Sequence, residues 1–295
     1  MKRIDLHVHS TASDGTFFPS DIVRMAETLD LAAIALTDHD TVDGIEEFLT
    51  AAKQSKVEVV PGVEIASSWN CKEIHILGLW IDHANLELGK LLKKIRENRE
   101  KRNYEILEKL NKSGFDITLE EIKNKAGGEV IGRPHIASLL VKKKYFKTVK
   151  DVFGSCLGRG AQNYVPRILP EIGEAIPVIH NAGGIAVWAH PMHRNKSNYK
   201  NIKSDIIHFM SLGLDGIEAY YPEYSEKQHK ILLKYAAELN LQITGGTDFH
   251  GEILPGISMA TGRGNLSIPE MVYTELKNYY LISRRTFVSC YNSNS

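Results

Sequence analysis

The sequence predicts an α/β fold, in which a mainly parallel sheet or barrel is interrupted by a helical insertion. Two observations lead to this prediction. Short β-branched runs alternate with amphipathic segments of helix length near both ends of the 295-residue chain. Between them the strand rhythm stops, and Lys, Arg and Glu dominate. We therefore expect residues 1–81 and 171–295 to form the two parts of a barrel, with an inserted helical subdomain over residues 82–170. An open doubly wound sheet is the alternative architecture.

Seven strand-like runs follow one another along the chain. They cover residues 4–8, 32–36, 57–65, 74–80, 185–189, 216–219 and 241–244. Segments with helical periodicity around residues 171–179, 204–212 and 226–239 precede or separate the later runs. Strands that alternate with helices are typical of parallel βαβ units, so we expect most neighbouring strands to be parallel.

The insertion is expected to begin with a long charged helix over about residues 86–111. Its cations are interleaved with Glu, which is typical of a helix face exposed to solvent. Thr118 and Glu121 have the spacing of a capping box, and Pro134 suits the first turn of a further helix.

Charge and cysteine content exclude several classes of protein. Lys+Arg and Asp+Glu are equal at 36 each, so the chain lacks the basic excess expected of a protein that binds long nucleic acid. Cys71, Cys156 and Cys290 are far apart and form no C-x-x-C motif, which argues against a disulfide framework and a zinc ribbon. With no apolar run of about 20 residues and no signal peptide pattern, the expected location is the cytoplasm.

The first strand carries a candidate metal site. His7 and His9 are two residues apart at the end of this strand, and the period of two places both imidazoles on one face. An isolated H-x-H is a weak signal, because a single histidine is more often a satisfied polar group than a ligand. Further ligands must therefore come from other strands.

Potential ligands do recur at the ends of the other predicted strands. They are Asp38, His39 and Asp40 after the second strand, Glu64 at the close of the third, Glu73 and His75 at the start of the fourth, His190 after the fifth, and Asp248 and His250 after the last. Parallel α/β folds place their active sites at the carboxyl ends of the strands. Mixed His and carboxylate ligands without thiolate favour Zn²⁺, Mn²⁺ or Fe²⁺ in a catalytic site.

These motifs resemble the polymerase and histidinol phosphatase (PHP) superfamily. The matching segments are D-L-H-V-H-S from Asp5, S-D-G from Ser13, T-D-H-D from Thr37, P-G-V-E from Pro61, E-I-H from Glu73, A-H-P from Ala189 and T-D-F-H from Thr247. The resemblance implies a distorted (β/α)7 barrel with a trinuclear metal centre at the carboxyl ends of its strands.

Carried over residue by residue, the resemblance implies three ligand sets that hold two to three divalent ions of Mn, Fe or Zn. The sets are His7, His9, Glu64 and Asp248 for one ion, Glu64, His75 and His190 for a second, and Asp14, His39 and His250 for a third. Glu64 would bridge two of the ions. All nine positions carry a competent ligand, which argues against a degenerate copy of the domain.

The insertion supplies candidate phosphate-binding residues. Arg133 and His135 lie in G-R-P-H before a predicted helix, where a guanidinium and free backbone N–H groups suit an anion. Together with the R-G-x-x-x-Y-V-P stretch from Arg159, they resemble one PHP branch that has this insertion. Its members are nucleoside 3′,5′-bisphosphate phosphatases that also act as 5′→3′ exoribonucleases.

One motif departs from the family pattern. The family's H-P-G-R reads His190-Pro191-Met192-His193-Arg194 here, so His193 occupies the position of the arginine. Either His193 or Arg194 could supply the phosphate contact, and His193 is also a candidate proton donor to the leaving oxygen.

The expected function is hydrolysis of a 3′-phosphate from nucleoside 3′,5′-bisphosphates, and of short 5′-phosphorylated RNA from its 5′ end. Metal ions would generate the hydroxide that attacks phosphorus, and Arg133 would neutralise developing charge. The partner is then a small nucleotide or a short RNA end, with no long nucleic-acid groove, membrane or obligate protein partner. Two alternatives stay open: a small-metabolite phosphatase such as histidinol phosphatase, and a non-catalytic metal-binding accessory module.

Overall fold

Seven strands form one sheet whose spatial order equals the chain order. The structure, a computed structural model, describes residues 2–126, 132–193 and 201–292, with side chains at all of these except 123–126 and 284–292. The strands are β1 Arg3–Val8, β2 Leu31–Leu36, β3 Glu58–Trp69, β4 Lys72–Leu79, β5 Ile185–Trp188, β6 Gly216–Tyr220 and β7 Gln242–Gly245. The predicted α/β fold is confirmed.

Ten helices accompany the strands in the described part of the chain. They are α1 Pro19–Thr28, α2 Ile45–Ala51, α3 Leu86–Lys112, α4 Leu119–Ala126, α5 Arg133–Lys142, α6 Val149–Val152, α7 Ile172–Asn181, α8 Ile202–Ser211, α9 Glu226–Leu239 and α10 Glu270–Asn292. A π-helical turn, Phe153–Leu157, continues α6. None of these helices is both long and apolar enough to span a bilayer, judged on the residues that are described.

The strand pairing departs from a fully parallel barrel at one strand. β4 is antiparallel to both β3 and β5, whereas the other neighbouring pairs are parallel. The cause is a tight turn at Asn70 and Cys71, both with positive φ (48° and 58°), which is the geometry of a hairpin and leaves no room for a crossover helix. The start of β4 therefore lies at the same edge as the carboxyl ends of the parallel strands.

The sheet closes on itself. After β7, the backbone N–H of Asp248 donates to the carbonyl of His7 at 2.9 Å, and that of His9 donates to the carbonyl of Phe249 at 2.9 Å. Gly246 permits this approach, because a Cβ there would lie 2.3 Å from the Cβ of His7. The seven strands thus form a barrel whose last residues before closure carry potential metal ligands.

Buried apolar side chains form four clusters in the described part of the chain, and two of them distinguish the barrel from the insertion. Apolar residues of the strands pack with Val272, Leu276 and other side chains of α10, a helix that the sequence patterns did not reveal. The helices between β4 and α7 have a cluster of their own, which includes Ile106, Leu110 and Leu140. Burial of this apolar surface provides the main driving force for the packing of both groups.

The predicted caps of the insertion are present. Thr118 and Glu121 exchange the capping-box hydrogen bonds, with Glu121 accepting from the Thr118 backbone N–H at 3.0 Å. Pro134 lies in the first turn of α5. Asn85 caps α3 by accepting from the N–H groups of Glu87 and Leu88 at 3.0 Å each. These caps satisfy N–H groups that a helix leaves without intrahelical partners.

Candidate metal centre

The end of β1 lies at the centre of the site. His7 and His9 are fully buried, and their Nε2 atoms are 3.1 Å apart. Glu64 Oε2 lies 3.2 Å from both Nε2 atoms. Asp248 Oδ1 lies 3.4 Å from the Nε2 of His7 and 3.1 Å from that of His9. The structure therefore brings together the four side chains of the first predicted ligand set.

A second group surrounds Asp14. Its Oδ1 lies 3.3 Å from Nε2 of His250, and its Oδ2 lies 4.0 Å from Nε2 of His39. These are the three residues of the predicted third set. The structure adds His9, whose Nδ1 is 3.9 Å from Asp14 Oδ1, so this one imidazole faces two groups of potential ligands.

Glu64 joins the groups. Its Oε1 lies 2.7 Å from Nδ1 of His75 and 2.9 Å from Nε2 of His190, which completes the predicted second set. Its Oε2 lies 2.9 Å from Nδ1 of His39. His75 reaches the site only because β4 is antiparallel, which turns the start of that strand toward the carboxyl ends of the others. One carboxylate thus contacts histidines of all three predicted sets.

Unsatisfied buried atoms show that these residues fit metal ions. His9 Nδ1, Glu64 Oε2 and Asp248 Oδ1 are buried without a geometrically sound hydrogen bond among the described residues, although ring nitrogens surround the two oxygens. Buried polar atoms nearly always have a partner, and removal from water without one costs about 1–3 kcal/mol. Divalent cations between the imidazoles and carboxylates would satisfy all three atoms.

The electrostatics also favour cations. Burial opposes ionisation of Glu64 and Asp248, but neighbouring histidines hold the pKa of each carboxyl well below its usual range. Burial likewise opposes protonation of His75 and His250, yet Glu64 raises the pKa of His75 to about 10, and Asp248 and Asp14 raise that of His250 to about 9. The carboxylates therefore create a negative potential that attracts protons or metal ions.

A further carboxylate, which the sequence patterns did not reveal, supports two of the histidines. Glu218 on β6 is fully buried; it accepts from Nδ1 of His7 at 3.0 Å and from the backbone N–H of His190 at 2.8 Å. A ligating histidine commonly donates its other ring N–H to a carboxylate in this way. The contact fixes the His7 tautomer and directs its Nε2 toward Glu64.

Two aspartates and one tyrosine fix the loops around the site. Asp5 accepts from the backbone N–H of Thr247 at 2.9 Å and from its hydroxyl at 2.6 Å. Asp38 accepts from the Ser10 backbone N–H at 2.7 Å and from the Ser13 hydroxyl at 2.6 Å. The hydroxyl of Tyr221 donates to Asp248 Oδ2 at 2.9 Å. Asp5 and Asp38 lie inside the sequence motifs, so their residue type was visible but their partners were not.

The candidate ligands border a cavity of about 780 Å³ that is also lined by residues of the insertion. Arg133 and His135 line it, as the sequence suggested for a phosphate site. The Arg133 guanidinium lies between two aromatic rings, 5.7 Å from the centroid of Phe153 and 5.8 Å from that of Tyr164. His135 Nδ1 accepts from the backbone N–H of Gly132 at 3.1 Å. The cavity therefore connects the metal centre with the predicted phosphate-binding residues.

His193 also lines the cavity. Its Nδ1 is 2.9 Å from Oε2 of Glu223, and its ring centroid is 5.7 Å from that of His190. Arg194, the other candidate for the expected arginine, lies outside the described residues. The structure thus brings His193 to the candidate site.

The prediction that α3 presents a solvated charged face is wrong for one side of the helix. Arg99 and Arg102 on α3 line the cavity, together with Arg167 from the segment that leads back to the barrel. Arg99 and Arg167 both bond to the buried carboxylate of Asp40. Charge interleaving along the sequence cannot distinguish these inward arginines from outward pairs such as Lys93 with Glu97, because only tertiary packing decides which side is covered.

The chain matches one protein family and several known proteins over most of its length. The family model described as the PHP domain matches residues 5–182. A 5′–3′ exoribonuclease of Haemophilus influenzae is 39% identical over 249 residues, which is 84% of this chain and 90% of the relative. A 3′,5′-nucleoside bisphosphate phosphatase of Chromobacterium violaceum is 35% identical over 255 residues, 85% of this chain and 88% of the relative.

A solved structure shares the fold over nearly the whole chain. It is an amidohydrolase from Chromobacterium violaceum with bound sulfate and no metal, and it matches with a TM-score of 0.81 at 30% identity. The match covers 94% of this chain and 96% of that chain. The similarity therefore includes both the barrel and the helical insertion.

Proposed function

The chain belongs to the PHP domain family and is a metal-dependent phosphoesterase, and from this premise we propose that it acts on nucleotides that carry two phosphates. The substrates are nucleoside 3′,5′-bisphosphates, which lose the 3′-phosphate, and short 5′-phosphorylated RNA, which is shortened from its 5′ end. The observation that carries this proposal is the single cavity shared by the candidate metal ligands and Arg133. One end of that cavity suits chemistry, and the other suits recognition of a second phosphate.

Two to three ions of Mn, Fe or Zn would occupy the three ligand sets, with Glu64 shared between them. When bound, such ions polarise a phosphoryl oxygen and lower the pKa of a water molecule toward neutrality, so that it can attack phosphorus. The protein's own residues orient the ligands. Glu218 fixes His7 and His190, and Tyr221 holds one oxygen of Asp248 so that the other faces the imidazoles.

The insertion, residues 82–170, would set the distance between the bound 5′-phosphate and the metal ligands. Arg133 and His135 hold the terminal 5′-phosphate at the far side of the cavity, and the next phosphate along the sugar then lies at the ligand sets. Binding energy at one end is converted into orientation at the other, which is an efficient way to lower a reaction barrier. Because Phe153 and Tyr164 flank the guanidinium of Arg133, little side-chain freedom is lost when the phosphate binds.

His193 would serve the leaving group or the phosphate. Its ring lies beside His190 at the cavity wall, and Glu223 is 2.9 Å from its Nδ1. An imidazole in this position can bind a phosphate oxygen or, when protonated, donate a proton to the leaving oxygen. We propose this role for His193 in place of the arginine of the family motif.

The two alternative functions are disfavoured for different reasons. A non-catalytic accessory module is disfavoured, because both relatives are hydrolases by name and the candidate ligands lie close together. A small-metabolite phosphatase such as histidinol phosphatase uses the same chemistry. It is disfavoured by the arginine wall of the cavity, since a monophosphate substrate has no second anionic group to engage it.

The test is a comparison of phosphate release from adenosine 3′,5′-bisphosphate, adenosine 3′-monophosphate and histidinol phosphate at matched concentration and metal loading. The bisphosphate is expected to give the highest kcat/KM and to yield the 5′-monophosphate. Preference for histidinol phosphate, or an unchanged kcat/KM after removal of the 5′-phosphate, would refute the proposal. A 5′-phosphorylated and a 5′-hydroxyl hexaribonucleotide extend the comparison to RNA.

A further inference from the structure

Among the described residues, four arginines line the cavity, and their contacts divide them into two pairs. Arg99 and Arg167 are tied to the loops that carry candidate metal ligands. Arg102 and Arg133 are tied to the interior of the insertion. The two pairs are therefore held by different parts of the chain, and each pair can serve a different phosphate.

The first pair, Arg99 and Arg167, is held by Asp40. Asp40 follows His39 directly, is fully buried and has a positive φ of 54°. Its carboxylate accepts from Nη2 of both Arg99 and Arg167, the latter at 3.2 Å, and from the Ala66 backbone N–H at 2.8 Å. Asp40 thus fixes two guanidiniums beside a candidate ligand loop.

Arg167 has a second anchor that also leads to the ligands. Its Nη1 bonds to Oε1 of Glu73, and the same oxygen is 3.5 Å from Nε2 of His75. His75 in turn bonds to Glu64. The Arg99–Arg167 pair therefore borders the His39 and His75 side of the metal centre.

The second pair, Arg102 and Arg133, has different surroundings. Arg102 Nε donates to the carbonyl of Val165 at 2.9 Å. Val165 follows Tyr164, whose ring lies against the Arg133 guanidinium. Arg133 also donates to the carbonyl of Leu157 at 3.5 Å. These contacts anchor both side chains on residues of the insertion.

The first pair has capacity for a ligand. A guanidinium carries five N–H donors, and the bonds to Asp40 and Glu73 use one donor of Arg99 and two of Arg167. Both side chains are largely buried, at 12% and 14% exposed, yet both line the cavity. Buried, pre-oriented donors bind an anion with little entropic cost, and arginine forks match phosphate oxygens.

We propose that Arg99 and Arg167 bind the non-bridging oxygens of the phosphate that is hydrolysed, whereas Arg102 acts with Arg133 on the remote phosphate. Asp40 is the positioning residue for the first pair. The assignment of the remote phosphate rests on the proposed function above. The assignment of Arg99 and Arg167 does not, because every phosphate ester that the enzyme hydrolyses has a reacting phosphate.

The experiment compares Arg99→Gln, Arg102→Gln and the control Lys101→Gln in the metal-loaded enzyme. Lys101 is exposed on the same helix and outside the cavity. The substrates are p-nitrophenyl phosphate, which has no remote phosphate, and adenosine 3′,5′-bisphosphate. Inorganic phosphate, as a competitive inhibitor against p-nitrophenyl phosphate, reports on the reacting position.

Arg99→Gln is expected to lower kcat/KM by about 10- to 100-fold on both substrates and to raise the Ki of inorganic phosphate by about 10-fold, the range for a charge-assisted hydrogen bond. Arg102→Gln is expected to lower kcat/KM on the bisphosphate by a much larger factor than on p-nitrophenyl phosphate. Lys101→Gln should match the unmodified enzyme. An Arg99→Gln enzyme whose loss is confined to the bisphosphate, with an unchanged Ki, overturns the proposal.

Folding and metal loading are controlled separately. Arg99→Lys keeps the positive charge beside Asp40 but removes the fork, so it should retain the Tm and metal content and still raise the Ki of inorganic phosphate. Full activity in Arg99→Lys with normal metal content would show that Arg99 acts only through its charge on Asp40 and would overturn the contact to substrate. If adenosine 3′,5′-bisphosphate proves a poor substrate, the p-nitrophenyl phosphate and inhibition results still test Arg99.

Discussion

Replacing Glu218 by Gln tests whether a carboxylate outside the predicted ligand sets controls metal affinity. Glu218 Oε1 accepts from His7 Nδ1 at 3.0 Å, and Oε2 accepts from the His190 backbone N–H at 2.8 Å. Gln has the same shape but only one acceptor oxygen. Whichever way the amide turns, its NH₂ group faces an N–H donor, so one of the two bonds is replaced by a repulsive contact.

The expected loss can be bounded from these contacts. A hydrogen bond to a charged group contributes about 1.5–3 kcal/mol, and loss of a partner behind a metal-ligating histidine lowers affinity about 10- to 100-fold. The two estimates agree, because a tenfold change corresponds to about 1.4 kcal/mol. We therefore expect Glu218→Gln to weaken binding of the tightest ion about 10- to 100-fold, by releasing the orientation of His7, His190 or both.

The assay is a titration of metal-stripped protein with Mn²⁺ in competition with a fluorescent chelator. Glu226→Gln is the matched control, since Glu226 is an exposed glutamate on α9 paired with Lys230 and far along the chain from every candidate ligand. Thermal unfolding of the stripped proteins shows whether the variant is folded. A folded Glu218→Gln protein with the Mn²⁺ affinity of the control would refute the role assigned to Glu218.

Four further predictions concern the same site. Elemental analysis after metal reconstitution should give more than one equivalent of transition metal, and a value of one or less would rule out a multinuclear centre. Glu64→Gln should be among the most damaging single changes to activity, because it removes the charge that the ions share; an active variant would contradict the bridging role. Arg133→Ala should cost about 1.5–3 kcal/mol in kcat/KM for a 3′,5′-bisphosphate and much less for a monophosphate, and equal losses would place Arg133 at the reacting phosphate or in the fold. Without metal, the pKa of His75 is raised to about 10 and that of His250 to about 9, so both carry protons that a metal ion must displace. Chelator competition should therefore show that metal affinity rises from pH 6 to pH 8. A pH-independent affinity would argue against these two ligands.

Most of the candidate ligands could be located from the sequence because they have a local signature, whereas their division into three sets was implied by the family resemblance. His7, Glu64 and Asp248 all follow apolar strand runs, and carboxyl ends of parallel strands meet at one edge. His75 was identified through its motif rather than its position. It lies at the start of a strand, and it reaches the site because the Asn70 turn reverses β4. That turn contains no glycine, so its hairpin geometry left little trace in the sequence.

The supporting residues could not be predicted, because their roles depend on contacts between distant segments. Glu218 is a single carboxylate inside a short strand, and its partners His7 and His190 are 211 and 28 positions away. Arg99 belongs to a helix whose charge pattern looks solvated throughout, yet its partner Asp40 is 59 positions away. Residue type limits what such side chains can do, but tertiary packing decides which of them meet.

Because the barrel closes between its first and last strands, metal binding there would restrict the conformational freedom of the unfolded chain. Ligands near the beginning, at His7, His9 and Asp14, face Asp248 and His250, and the neighbouring Asp5–Thr247 contact spans 242 positions. An ion shared by such ligands acts as a reversible cross-link over most of the polypeptide, and cross-links that close long loops remove the most freedom from the unfolded ensemble. The centre is also completed only after residue 250 has been synthesised. The two ligand sets that include Asp248 or His250 are therefore completed late, which would couple their loading with metal to completion of the fold.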